Sequence, residues 1–449
     1  MIMKLYLILL LLFSVLLFSS CEKFLDEKSS AKISTPTTIE DAELLLKSYG
    51  KFNGAYPYAA EIASDNFYVT VQHLNGASER ERKTYRWESN DDVAPFWSFP
   101  YATIFSANII LETLNKVETS NVKKQENLYA MALYWRAFYH YALANLFCKA
   151  YMEGAADTDL GIPLKRSADI NDIPKRSTVR ETYEFIIKDV EKAIPSLDAE
   201  LANKYQPNKA AGYGLLARIY LAMGKYEKAG LYADSCLQIQ SALMDYNAIN
   251  TGQNIPFSAR NEEVILDVQA SVSNLLNRAR GKVDSLLVAT YAIDDLRLKA
   301  FFIHNADGTK GFKGHYSGAS AAIQFVGLAT DEMFLIRAES NARIGNVDVA
   351  LDDLNHLLKH RWEKDKFIEY AGLNQDELLE IILLERRKEL IFRCLRWSDL
   401  RRLNQESKYQ QVLKRKLDNE LLSLEPNTDR YVFKILRESI LFSGIEQNP

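Results

Sequence analysis

Along most of the chain, apolar positions recur at helical spacing and polar breaks fall between the runs. Trp97, Tyr101, Ile104, Asn108 and Leu111 share one face of a helix that resumes near Pro95. Within residues 128–151, Leu133, Ala137, Tyr141, Ala144 and Phe147 mark a stripe, but aromatic residues also occupy the other sides. A helix apolar on most sides is predicted to lie inside an array of helices. Thr178 and Glu181 have the spacing of a capping box, predicting a helix over 178–196. A first packed helix is expected to begin near Thr38 or Ile39, with Leu44, Leu45, Leu46 and Tyr49 as its apolar positions. A long charged helix is expected over 376–403.

The pair 210–223 and 227–240 is joined by the short turn Gly224-Lys225-Tyr226. Ala217, Tyr220, Gly224, Tyr226, Ala229 and Ala233 resemble the helix-turn-helix signature of a tetratricopeptide repeat. Glycine ends the first helix, and the alanines let the second approach closely. A second copy spans 331–360, turned at Gly345-Asn346-Val347-Asp348, with Ala338, Ala350 and Leu354 in the corresponding places. A free-standing solenoid needs at least three repeats, so the remaining helices must complete the stack.

Two regions break the pattern. Residues 50–92 have weak periodicity and many tyrosines, and are predicted as a long loop region. Residues 241–325 read as an irregular insertion, with a short strand at 263–268 and a glycine-rich loop over 305–320. The expected fold class is all-α dominated: a tetratricopeptide-like helical-hairpin scaffold with an irregular loop-rich part and a few short strands.

The N-terminus has its own logic. Lys4 precedes an apolar run over 5–18, interrupted only by Ser14, then Ser19, Ser20 and Cys21. The run is shorter than the roughly 20 residues that span a bilayer. It reads as an export signal, and Leu17-Phe18-Ser19-Ser20-Cys21 resembles a bacterial lipobox, with Phe18 where Leu is commoner. The expectation is a lipoprotein signal peptide over 1–20, lipidation at Cys21, a flexible tether over 21–38 and one domain over 39–449. A plain secretory signal or an uncleaved N-terminal anchor are the alternatives.

Composition removes several function classes. The net charge is −4 with basic and acidic residues interspersed, so no nucleic-acid face is expected. Cys148, Cys236 and Cys394 are far apart, each within a helical pattern, and read as small core residues rather than disulfides or metal ligands. His356 and His360, with Asp352 one turn earlier, could share a metal ion, but no further convergent ligand is visible and no metal site is assigned. No GxSxG elbow, Walker A loop or dinucleotide fingerprint is present, and no carboxylate pair stands out as catalytic.

Several stretches together resemble the SusD/RagB family of nutrient-binding outer-membrane lipoproteins, over nearly the whole chain. These are Cys21-Glu22-Lys23-Phe24-Leu25-Asp26, the Trp97–Asn108 pattern, Tyr134-Trp135-Arg136-Ala137-Phe138-Tyr139, Gly161-Ile162-Pro163-Leu164, and Ala338-Glu339 with Leu354-Asn355. The most specific is Glu385-Arg386-Arg387-Lys388-Glu389-Leu390 followed by Arg396-Trp397-Ser398-Asp399-Leu400. Two departures affect turn geometry: Arg393-Cys394 where the family usually has Glu-Gly, and Tyr431–Leu436 without the usual prolines. The resemblance implies four tetratricopeptide-like units and binding without chemistry or cofactor. It implies a site on the outer face of the outer membrane, a SusC-like TonB-dependent transporter as partner, and a glycan or peptide ligand.

Sugar binding needs aromatic faces with polar groups beside them. The loop candidates are Tyr56, Tyr58, Asn66, Tyr68, His73, Phe301, Phe302, His315 and Tyr316. Trp87 and Trp97 are read as structural. Two other functions compete with nutrient capture: a periplasm-facing scaffold lipoprotein for envelope assembly, and a lipid-anchored glycoside hydrolase.

Overall fold

The structure is a computed structural model that describes residues 36–199, 203–270, 272–319 and 323–449. The leader, Cys21 and most of the tether expected from the sequence lie outside the described residues. Among the described residues no helix is long and apolar enough to cross a membrane.

Helix α1 (Ile39–Leu46) starts where expected, closed by a capping box of Thr38 and Asp41. It packs against α2 (Ala94–Lys116) and α3 (Val122–Phe147), which form the first antiparallel pair. α4 (Val179–Ala193), opened by the Thr178–Glu181 capping box, packs on α3. Then α5 (Lys209–Ala222) pairs with α6 (Tyr226–Leu237), α6 with α7 (Thr330–Arg343), and α7 with α8 (Val347–Lys359). Each helix touches its neighbours in sequence, as a repeat stack requires.

α3 is the centre of this stack. Every residue from Ala130 to Ala144 is buried, including Tyr134, Trp135, Phe138 and Tyr139. Burying one such side chain contributes roughly 1.5–3 kcal/mol, so this helix anchors much of the core. The two repeat turns use glycine for a physical reason: Gly224 and Gly345 have φ of +68° and +87°, which side-chain-bearing residues rarely adopt.

The structure corrects four sequence expectations. The charged segment is two helices, α9 (Gln375–Glu389) and α10 (Arg396–Leu403), separated by a turn with Phe392 and Cys394 at φ +59° and +57°. Cys394 therefore sits in a turn and Cys148 caps α3, although both are buried as expected. Residues 50–92 are not one loop, since short helices form at Ala59–Ala63, Val71–Asn75 and Glu79–Tyr85. The 305–320 stretch contributes a strand, Lys310–Phe312, paired with Phe302–His304.

The insertion covers one side of the stack through small two-stranded sheets. Val264–Leu266 pairs with Leu328–Ala329, and Lys282–Val283 pairs with Phe67–Tyr68. A hairpin follows α10, Leu413–Leu417 against Glu420–Leu424, turning at Asp418 and Asn419.

Charged residues of α9 lock the insertion to the stack. Arg297, fully buried, meets Asp295 at 2.8 Å, Glu385 at 2.6 Å and Glu389 at 2.9 Å. Glu389 also meets Arg361 at 2.8 Å, and Arg361 meets Glu263 at 2.8 Å. Lys388 bridges Glu385 and Asp295 at 2.6 and 3.2 Å. On another side of α9, Arg386 reaches Asp399, and Arg402 of α10 joins Asp399 to Glu339 of α7. Guanidinium groups suit this role because their forked donors satisfy two carboxylates at once.

Candidate functional site

Nine loop residues were candidates, and the structure spreads them through the molecule. Tyr56 packs on Phe138 and Tyr58 edge-on against Phe96, both buried. Asn66 is buried, donating from Nδ2 to Glu61 at 2.8 Å. Phe301 and Phe302 join Phe312 in an aromatic cluster, with His315 edge-on to Phe312 at 4.7 Å. Tyr316 is buried and donates its hydroxyl to Glu263 at 2.7 Å. These seven side chains fill the core under the loops, where their large apolar area is worth most. They present no open aromatic face. His73 is half-buried on Val71–Asn75, while Tyr68 remains 38% exposed.

Tyr68 stands on a cleft of about 660 Å³. Three segments far apart in sequence make its walls. One is the turn at Asp65, Phe67 and Tyr68, backed by Trp87; the second is Asp284 and Leu286 of the insertion. The third is the first strand of the C-terminal hairpin, from Gln411 to Asp418. Arg387 of α9 lies between them. The pairing of Phe67–Tyr68 with Lys282–Val283 is what brings the first two walls together.

Apolar surface is open here: Leu286 is 78% exposed and Val412 is 39% exposed. Trp87 is held at φ +56° with its indole N–H donating to the Ala63 carbonyl at 2.8 Å. Its reading as structural fits that burial, and it also backs the cleft. Arg415 lies flat between Tyr85 and Trp87, at 3.8 and 4.3 Å from the ring centres, and donates to the Ile62 carbonyl at 2.9 Å. Burial pushes its pKa down, to about 10.

The carboxylates of the wall are already engaged. Asp65 accepts from Arg396 at 2.7 and 3.0 Å and from Gln411 at 3.2 Å, and meets Arg387 at 3.1 Å. Burial opposes its ionisation, but the Arg396 and Arg387 guanidiniums outweigh burial and hold it well below the usual carboxylate range. Asp284 caps Ser285–Val288 by accepting from Leu286 and Leu287, and meets Arg387 at 3.1 Å. Tyr68's hydroxyl is pushed upward by burial, then by Asp307 and Asp284.

Sequence reasoning missed Leu286, Arg387 and the hairpin. The hairpin had a signal: alternation of Leu413, Arg415 and Leu417 with Lys414 and Lys416, then the two-residue turn Asp418-Asn419. Leu286 carried none. In the His356–His360 pair, His360 Nδ1 bonds the His356 carbonyl oxygen at 2.8 Å and the two ring centres lie 5.0 Å apart. Among the described residues the acidic group with ligand-like spacing is Glu263, Asp331 and Glu389, and it is filled by Arg361 and Arg393 at 2.6–2.8 Å.

This architecture, a stack of helical hairpins carrying a loop-rich cap with a surface cleft, defines a fold class shared with solved structures. A family model described as "Starch-binding associating with outer membrane" matches residues 23–221, and the SusD family model matches residues 314–442. The chain belongs to the SusD/RagB family. It is 22% identical to SusD-like protein P38 of Formosa agariphila, over 88% of this chain and 90% of that protein. A SusD superfamily protein of Bacteroides thetaiotaomicron superposes with a TM-score of 0.77 at 19% identity, covering 92% of this chain and all of that one. The surface glycan-binding protein A of Bacteroides fluxus does so with a TM-score of 0.71 at 17% identity, covering 92% and 100%.

Proposed function

We propose that this chain is a glycan-binding lipoprotein of the outer membrane, anchored through an acylated Cys21 and facing the cell exterior. It captures a nutrient glycan in the Tyr68 cleft and passes it to a SusC-like TonB-dependent transporter. The observation that carries this reading is an exposed tyrosine and open apolar surface, Leu286 and Val412, set among polar side chains in one cleft of a SusD-family fold. That combination matches a sugar ring, which has an apolar face and a polar rim.

Capture without turnover is the reading the cleft chemistry favours. A glycosidase needs one carboxyl held protonated and a second free to act. Asp65 is instead held strongly ionised, and Asp284 is tied to a helix N-terminus and Arg387. The test is retention of soluble starch in affinity electrophoresis. We expect Tyr68→Ala to lose up to about tenfold in affinity, the scale of one ring contact, with no sugar released by either protein. Equal retention by wild type and variant would remove the cleft from the proposal. Co-purification with a large β-barrel protein tests the partner, and protease sensitivity on intact cells separates an exterior protein from a periplasmic scaffold.

A further inference from the structure

The polar groups around the Tyr68 cleft are unevenly spent, and the imbalance has a sign. On the acceptor side, Asp65 is saturated by Arg396, Gln411 and Arg387. Asp284 is engaged by two backbone N–H groups and Arg387. Gln411 uses both ends of its amide, donating to Asp65 and accepting from Arg396 at 2.8 Å. Asp418, exposed at the hairpin turn, is the remaining carboxylate of the lining.

On the donor side two groups are available. Lys414 and Lys416 are exposed and make no ion pair or side-chain hydrogen bond among the described residues. They project from the same side of the strand, because side chains alternate and the intervening Arg415 points into the core. Behind them Arg387 adds a positive charge shared between Asp65 and Asp284. Arg415 adds a positive charge with no carboxylate within 4.0 Å among the described residues. A neutral sugar offers hydroxyls that donate as well as accept, and sites for it supply both. Apart from Asp418 at the turn, this wall supplies cationic donors and has little acceptor capacity left.

We infer that the cleft takes an anionic glycan, one bearing carboxylate or sulfate groups, with Lys414 and Lys416 facing its charges and Tyr68 its ring. The assignment rests on the proposal that the cleft binds a glycan. Charged groups at an open site act over about 8–10 Å at physiological salt and are screened above it. Lysines on an open strand edge also serve to block pairing with another sheet. That role alone predicts aggregation when they are removed and no change in binding.

The experiment measures binding of three probes to the full-length chain in detergent, at 20 mM and 500 mM NaCl. The probes are oligogalacturonate, dextran sulfate and maltoheptaose. Wild type is compared with Lys414→Gln/Lys416→Gln and with Tyr68→Ala, with light scattering on each. The expected result is that one anionic probe binds at least tenfold tighter than maltoheptaose at low salt. The double lysine variant should lose about tenfold of that, and less than threefold at high salt. Whichever anionic probe binds identifies carboxylate or sulfate. Maltoheptaose binding as tightly, with Tyr68→Ala abolishing it and the lysine variant unaffected, would overturn the charge assignment and leave the glycan reading intact. Aggregation of the lysine variant with unchanged affinity would assign the lysines to edge protection and overturn it as well. Binding of no probe, or binding indifferent to Tyr68→Ala, would overturn both.

Discussion

Helix α9 presents charged residues to two different environments. Glu385, Lys388 and Glu389 share one face and enter a network in which each charge meets an opposite one within 3.2 Å. Arg387, on the opposite side at 100° per residue, reaches the cleft, where it bridges Asp65 and Asp284 and keeps an unpartnered Nε. The first set is closed and holds the insertion; the second lines the cleft and is partly exposed. What distinguishes architecture from binding is whether the charge is spent, since both faces carry charged side chains.

The largest effect that would test this contrast is Arg297→Ala. It leaves Asp295, Glu385 and Glu389 together in the core with Lys388 and, for Glu389, Arg361 beside them, and breaking such a buried network costs about 3–5 kcal/mol. Arg387→Ala, by comparison, removes ion pairs whose partners are 16–25% exposed and is expected to cost about 1 kcal/mol. Urea unfolding of the two variants checks the difference. Equal losses would mean that the cleft face of α9 is as structural as the buried one.

A smaller effect concerns Glu61, which sits behind the cleft between the two environments. It is buried and accepts from Asn66 at 2.8 Å, from the Cys394 N–H at 2.9 Å and weakly from Ser64, with no cation paired to it. Burial pushes its pKa up to about 7, partly opposed by those hydrogen bonds. The unfolded value is near 4.3, so between roughly pH 4.3 and 7 the folded state binds more protons than the unfolded one. Stability from this group is therefore full below that window and declines as pH rises through it. Glu61→Gln keeps an acceptor for the Cys394 N–H and removes the titration. Its melting temperature should fall less between pH 5 and 8 than that of wild type, by a difference worth about 1–3 kcal/mol. Parallel profiles would show that Glu61 stays ionised throughout.

The scaffold was legible in the sequence because its information is local. The Thr178–Glu181 capping box, the glycine turns at Gly224 and Gly345, and the apolar surround of α3 all appear as read. The α9 charges, by contrast, are held by partners such as Arg297, Arg361 and Glu263, which lie in segments without periodicity. The cleft was barely legible. Its walls come from residues near 65, 284, 387 and 411–418, which no pattern of spacing joins. Aromatic content in loops also pointed mostly at core: Phe301, Phe302 and Tyr316 are under the loops, where a large side chain is the usual filler. Tyr68 was found because it was one of many tyrosines, not because the sequence marked it.

The smallest effect lies at the turn that separates α9 from α10, where Arg393-Cys394 stands in place of the Glu-Gly usual in the SusD/RagB family. Cys394 has φ +57°, a conformation that costs a side-chain-bearing residue about 1–2 kcal/mol and glycine almost nothing. The turn is held by the bond from the Cys394 N–H to Glu61, which any residue can make. Arg393 has acquired its own partners, meeting Asp331 at 2.6 Å and stacking 4.3 Å from the Tyr316 ring centre. The two replacements therefore differ in kind: one forms a buried ion pair, the other leaves strain. Cys394→Gly should relieve that strain and lose some thiol burial, for a net gain of up to about 1 kcal/mol in urea unfolding. Arg393→Glu should lose several times that, since it would set a second carboxylate against Asp331. If Cys394→Gly were instead strongly destabilising, packing of the buried thiol rather than backbone geometry would hold this turn.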